Sequence, residues 1–228
     1  MANPSPVSLH LVAAVAAGVC ASQTPGAAGA LTINGSLATG GVATFDVARR
    51  VAVASTANDA TVVFTIYGTN GSGAAISNTV TGVNAGSVNS LLDFLTVTKV
   101  TSSAGTAGAI TVGTSSTAST PWIVDNFMAP YWALAVAVSV AGTVTYTVEH
   151  TYDDPNATVG NLTTGANSAL GPASNIPPIA WPNPTLAAQT ASGEAQYVDK
   201  PIFAHRLTIT AGTGTATMQS IQAGIGSP

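Results

Sequence analysis

The sequence has very little charge. Of 228 residues, 5 are Lys or Arg and 9 are Asp or Glu, so 6% are charged, against about 25% in ordinary soluble domains. With a formal net charge of −4 and no basic run, nothing is available to neutralise a phosphate backbone, which excludes a nucleic-acid binder of the electrostatic kind. A polybasic membrane anchor is excluded for the same reason. Aromatic residues make up only 6%. Leu, Glu, Lys and Arg, the residues of helix bundles and coiled coils, are sparse. Cysteine is nearly absent: Cys20 stands alone, so no internal disulfide can form and a disulfide-stapled secreted module is ruled out.

What is present is a hydrophobic fraction of 46% supplied mainly by Ala and Val and diluted with Gly, Ser and Thr. Mean hydropathy is positive, which is incompatible with classical disorder. The apolar stretch from Val7 to Val19 imitates a signal-peptide core. No Lys or Arg precedes it, however, and Val19 sits before Cys20 where a small residue is expected. The stretch is also too short to span a bilayer. Residues 1–30, with Pro4, Pro6 and Pro25, read as an extended N-terminal arm carrying one strand.

From Leu31 the pattern turns into short β-compatible runs: Val51–Ala54, Thr61–Tyr67, Ile76–Thr81, Phe94–Val100 and Ile110–Gly113. Asn58-Asp59, Asn70-Gly71 and Gly105-Thr106 mark turns between them, because Gly, Asn and Asp tolerate positive φ. Runs of this length at such intervals predict an all-β protein of two sandwich-like or jelly-roll-like antiparallel domains. Domain 1 spans residues 31–118 and domain 2 residues 119–228, with a long Pro/Asn/Gly-rich loop over 153–184 of the kind that is usually functional or ordered by a partner. In domain 2, Ala135–Val140 and Thr143–Tyr152 flank Ala141-Gly142 as a hairpin. Arg206–Thr210 and Thr215–Ile221 flank Gly212 to Gly214 as another. Val51–Gly68, Leu134–Thr151 and Leu207–Gly224 share this strand, turn and Thr-rich strand design, which suggests a repeated β motif.

Residues that could carry chemistry are few. Glu149, His150, Asp153, Asp154 and His205 form the densest polar group. Glu149 and His150 are strand neighbours that point to opposite faces, which spoils a shared metal site. No Gly-x-Ser-x-Gly elbow accompanies the three histidines, and no acid pair stands out for glycoside hydrolysis. Gly212-Thr-Gly-Thr215 lacks the lysine of a phosphate loop and lies between two β runs. In Arg49-Arg50 one side chain points inward, in position to pair with Asp46 or another acid. The sequons at Asn34, Asn70, Asn156 and Asn161 follow from the abundance of Ser and Thr. The reading is therefore not an enzyme, with no catalytic residue, no cofactor and no metal. The aromatic group Trp122, Phe127, Tyr131 and Trp132, together with Trp181, supplies the candidate interface residues, since aromatic side chains bury the largest areas.

Taken in order, Leu31-Thr-Ile-Asn-Gly35, Val42-Ala-Thr-Phe-Asp-Val-Ala-Arg-Arg-Val51, Val63-Phe-Thr-Ile-Tyr-Gly-Thr69, Val80-Thr-Gly-Val-Asn-Ala-Gly86 and Phe94-Leu-Thr-Val-Thr98 resemble small structural proteins encoded among tailed-bacteriophage virion genes. So do Gly142-Thr-Val-Thr-Tyr-Thr-Val148, Thr151-Tyr-Asp-Asp-Pro155 and Arg206-Leu-Thr-Ile-Thr-Ala-Gly-Thr-Gly214. The resemblance implies a non-enzymatic virion subunit, first a capsid decoration or cement protein, and it transfers no catalytic motif. Its partners would be major capsid or head–tail proteins and further copies of itself, with no nucleic acid and no membrane. A head–tail or tail component (adaptor, nozzle or fibre attachment) is the alternative within that class. Outside it stands a secreted bacterial surface or carbohydrate-binding module in which Trp122, Trp132 or Trp181 would be an exposed stacking platform. Low charge fits a particle component, whose apolar and backbone-edge surface is covered by neighbours.

Overall fold

In the computed structural model the described residues are 5–125, 133–155, 177–198 and 201–222. Among them the chain is all-β, with no helix and with antiparallel pairing throughout. The strands are β1 (Ser5–Leu11), β2 (Cys20–Gln23), β3 (Gly29–Ala30), β4 (Ala38–Thr39), β5 (Val42–Asn58), β6 (Val63–Thr69) and β7 (Ala75–Thr81). They continue as β8 (Asn84–Ser102), β9 (Ile110–Ser119), β10 (Ile123–Val124), β11 (Ala133–Thr151), β12 (Trp181–Pro182), β13 (Gly193–Val198) and β14 (Ala204–Gln222). The chain clusters into two compact units, one of residues 13–118 and one of residues 5–12 with those from Ser119 onward.

The first unit orders its strands β9-β5-β8-β6-β7, with β2 on β9, β3 on β8 and β4 on β5. Its core follows from alternation: in β5 Ala43, Phe45, Val51 and Val53 are buried, in β6 Phe64 and Ile66, in β8 Phe94, Val97 and Val100, and in β9 Ile110 and Val112. Fully burying each such Val, Ile or Phe contributes about 1.5–3 kcal/mol. The Val15 carbonyl accepts the amides of Gly18 and Thr114. Gly113 permits this approach, since a Cβ there would lie 2.0 Å from the Val15 oxygen. Cys20 is buried in this core, and burial pushes its thiol up to about 12, so it is inert at neutral pH.

Arg49 is the inward member of the basic pair. It is buried, its Nε and Nη2 donate to the Ser115 carbonyl at 3.0 and 2.6 Å, and its Nη1 donates to Asp46 Oδ1 at 3.1 Å. Arg50 lies 4.0 Å from Asp93.

The second unit is built on β11 and β14, which pair from Leu134↔Gln222 to Thr151↔Ala204. β1 pairs with the outer edge of β14 from Ser5↔Ser220 to Leu11↔Gly214, and β10 follows it at Ile123↔His205. On the far edge of β11 lie β13, a single bridge Tyr146↔Gln189, and β12. The segment read as an arm is thus held by pairing within its own chain, with Leu9, Leu11, Val19 and Cys20 buried.

The structure corrects the hairpins expected at Ala141-Gly142 and at Gly212 to Gly214. Neither is a turn: β11 and β14 run through these glycines and pair with each other, Gly142 opposite Gly214. Gly142 and Gly212 do take positive φ, 88° and 90°, but they use it to bend paired strands beside a bulge at Thr145/Tyr146. Val51–Gly68 is not a hairpin either, since β5 pairs with β8 and β9 while β6 pairs with β7 and β8. The three segments therefore share no hairpin design. Of the expected turns, those at Asn58-Asp59 and Asn70-Gly71 are present, closed by the Val62 amide on the Asp59 carbonyl and the Gly73 amide on the Asn70 carbonyl, whereas Gly105-Thr106 lies within the connection from β8 to β9 and forms no turn of its own. At the second, Asn70 Oδ1 accepts the amides of Ser72 and Ala74, an Asx-type closure.

Asp59 ties three loops of the first unit together. Its carboxylate accepts the Ser55 hydroxyl, the Ala107 amide at 2.6 Å and the Gly108 amide at 3.2 Å, and its own amide donates to the Val83 carbonyl. Burial opposes ionisation, but the Ser55 hydroxyl and the two amides outweigh it and hold the carboxyl below its ordinary value. A depressed folded pKa contributes stability that is present above the unfolded value of about 3.9 and is lost as pH falls through the folded value. Asp59→Asn, which turns an NH2 toward N–H donors, is predicted to cost about 1.5–3 kcal/mol at neutral pH. Urea unfolding should show this deficit shrinking toward about pH 2; a pH-independent deficit would contradict the assignment.

Candidate functional site

In the second unit, cross-strand register decides which side chains share a face. His150 lies opposite Trp181 on one side and His205 on the other, whereas its neighbour Glu149 lies opposite Pro182 and Arg206. Successive residues of a strand alternate in direction, so the two rows serve opposite faces.

The Trp181 row opens into a cleft of about 680 Å³ lined by His150, Tyr152, Trp181, Asn183, Gln196 and Tyr197, among others. The His150 ring packs edge-on against Tyr152, with centroids 5.6 Å apart, and against Tyr197, 5.3 Å apart. The Tyr197 hydroxyl stands 3.3 Å from His150 Nδ1 and is also hydrogen-bonded by Asn183. Burial lowers the His150 pKa and raises the Tyr197 phenol to about 12. At neutral pH the phenol keeps its proton and the imidazole is neutral, and the two share the hydrogen bond between the Tyr197 hydroxyl and His150 Nδ1. At the rim, Trp181 is 49% and Tyr152 50% exposed.

On the opposite face Arg206 Nε donates to Glu149 Oε2 at 2.7 Å, and the Thr208 hydroxyl donates to the same oxygen at 2.9 Å. The guanidinium lies 4.4 Å over the Trp122 ring, a cation–π contact. Trp122 is thereby engaged within its own unit.

Toward the other end of β11, Ala133, Ala135 and Ala137 alternate with the buried Leu134, Val136 and Val138. Register places Val198 beside Ala133 and Ile221 beside Ala135. Val198 is 53% and Ile221 41% exposed, so this stretch of sheet turns Ala, Val and Ile outward, interleaved with Gln196, Gln219 and Glu194 of the same row.

The polar group singled out by sequence is dispersed. Glu149 serves Arg206, His150 serves Tyr197, and His205 Nδ1 lies 3.1 Å from the Asp125 carboxylate in a buried pair. Asp153 Oδ2 accepts the Ile179 amide. Among the described residues no three His, Cys, Asp or Glu gather as metal ligands would. Of the candidate interface residues, Trp181 lies in the cleft and Trp122 under Arg206, while Phe127, Tyr131 and Trp132 lie outside the described residues. Sequence reasoning missed Tyr152, Tyr197 and Asn183 as cleft residues. Tyr197 had a signal in the alternation of Glu194-Ala-Gln-Tyr-Val198; the other two reach the cleft only through the return of residues 181–198 along β11.

A scan of the sequence against protein-family models finds no match, and a search of curated proteins finds none either.

A His whose folded pKa is depressed contributes stability that is present above its unfolded value of about 6.5 and is lost as pH falls through the folded value. An NMR titration is predicted to place the His150 midpoint below 6.5. Tyr197→Phe should leave it depressed, because burial is the cause; a midpoint at or above 6.5 in the parent chain would refute the burial of His150.

Proposed function

We propose that this chain is a non-enzymatic structural subunit of a tailed-bacteriophage virion, acting through subunit–subunit contacts, and first a capsid decoration or cement protein. The observation that carries the reading is the apolar face of Ala133, Ala135, Ala137, Val198 and Ile221 on a chain with 14 charged residues in 228. Exposed apolar side chains gathered on one face, with amide side chains between them, suit contact with another protein surface. A particle subunit covers such surface with its neighbours, and there the cost of few surface charges disappears. Backbone edges contribute in the same way: among the described residues β7, at the end of the first unit's strand order, pairs only with β6, and an open edge is a template for another chain. The resemblance of the strand motifs to phage structural proteins supports the same class. A head–tail or tail position is the alternative use of the same surfaces.

The test is composition and placement. Purified virions from cells carrying the gene should contain the chain at stoichiometric level by quantitative mass spectrometry, and antibody-labelled particles should show it on the head. Label confined to the tail would move it to the alternative, and absence from particles would overturn the reading. In a particle-binding assay Ile221→Glu is predicted to lower incorporation at least tenfold, with less than about 0.5 kcal/mol change in stability, as for exposed sites generally.

A further inference from the structure

We infer that the cleft framed by Trp181, Tyr152 and Tyr197 is a binding site for a neutral saccharide. This goes beyond the virion reading and does not depend on it. The volume, about 680 Å³, lies in the range of small-ligand sites, about 300–1,000 Å³, and suits one to a few sugar rings. Two aromatic side chains stand half exposed at its rim, although burying such rings is the usual way to gain from them. An aromatic face left in water beside a concavity is suited to the apolar C–H face of a pyranose.

The polar groups point the same way. Among the described residues that line the cleft there is no Asp, Glu, Lys or Arg, so none of them offers a charged partner to a phosphate, a carboxylate or an amine. What lines it instead are amides and hydroxyls: Asn183, Gln196 and Thr185, with the Tyr197 phenol held between His150 and Asn183. Such groups donate and accept at once, as the alternating hydroxyls of a sugar require.

The floor is also organised in advance. Asn183 is buried, its side-chain Oδ1 accepts the backbone amides of Thr185 and Leu186, and its backbone N–H donates to the Val148 carbonyl. Trp181 is fixed by its register with His150 at the edge of β11. A ligand meeting such a site loses little free energy to ordering the protein. A proline-rich peptide, the other ligand that aromatic grooves take, is less well matched, because its backbone offers no donors at the prolines to use the amide and hydroxyl oxygens.

The experiment uses the full chain. Chitotriose, maltotriose, cellotriose and mannotriose are titrated by calorimetry, with tryptophan fluorescence recorded in parallel and a decaproline peptide as comparator. At least one trisaccharide should bind saturably at submillimolar concentration and shift the emission. Trp181→Ala should weaken it at least tenfold, Trp181→Phe should retain most of it, and Tyr152→Ala should weaken it severalfold. Trp122→Ala, on the opposite face, should leave the affinity unchanged when circular dichroism shows the fold intact. The inference is overturned if none of the four sugars binds, if binding survives Trp181→Ala undiminished, or if decaproline alone binds in a Trp181-dependent manner.

Discussion

The register between β11 and β14 is the constraint on which the second unit depends. These two 19-residue strands pair along almost their whole length, and each residue's face is decided by that single alignment. A slip of one residue would carry Val136, Val138, Tyr146 and Val148 to the outside and bring Ala135, Glu149 and their neighbours in. The alignment is fixed at its middle by backbone geometry. Gly142 lies opposite Gly214, and a Cβ on Gly212 would meet the Thr143 carbonyl oxygen at 2.2 Å. It is fixed at one end by charge, since Glu149 and Arg206 are directly opposed and hydrogen-bonded. The cleft, the apolar face and the buried His205–Asp125 pair all inherit their positions from it.

Scarce charge reads differently once the structure is known. Much of it is turned inward or paired: Arg49 with Asp46 and the Ser115 carbonyl, Asp59 with three donors, Glu149 with Arg206 and Thr208, and Asp153 with a backbone amide. Each holds loops or strands that the small Ala, Val and Gly side chains could not fix by packing alone. Removing one partner of such a group would leave the other buried and unsatisfied. The water-facing surface is therefore served by Ser, Thr and Asn, which hydrogen-bond without repelling like neighbours, and it has little charge with which to keep copies apart.

The all-β class and the turns at Asn58 and Asn70 were legible because they rest on local rules: β-branched alternation, and side chains that satisfy a turn's own backbone. That one of Arg49 and Arg50 turns inward followed from the same alternation, though not which one. What misled were the glycines of β11 and β14. Positive φ serves a tight turn and a bend in a long strand equally well, and only the partner strand, some seventy positions away for Gly142 and Gly214, decides between them. Strand lengths were underestimated for a related reason: Ser, Thr and Asn end a run by composition, yet within an antiparallel ladder they merely face water. Trp181 was visible as an aromatic candidate, but not Tyr152, Tyr197 or Asn183 around it, because no spacing rule links positions brought together by a returning segment.

That returning segment explains how one strand supports two unlike surfaces. Residues 181–198 run back along the free edge of β11, paired near its two ends by β13 and β12 and between them held by the Tyr146↔Gln189 bridge and the Leu186 carbonyl on the Val148 amide. Where β13 pairs, the outward Ala133, Ala135 and Ala137 of β11 stand beside Val198 and Ile221, interleaved with Gln196, Gln219 and Glu194, which suits contact with another protein surface. Past the bulge, the segment stays bonded to β11 through Asn183, Leu186 and Gln189. The cleft lies between residues 181–185, with His150 and Tyr152, and Gln196, Tyr197 and Val198 of β13. It thus joins residues that pair with opposite ends of β11, Trp181 with His150 and Tyr197 with Leu134.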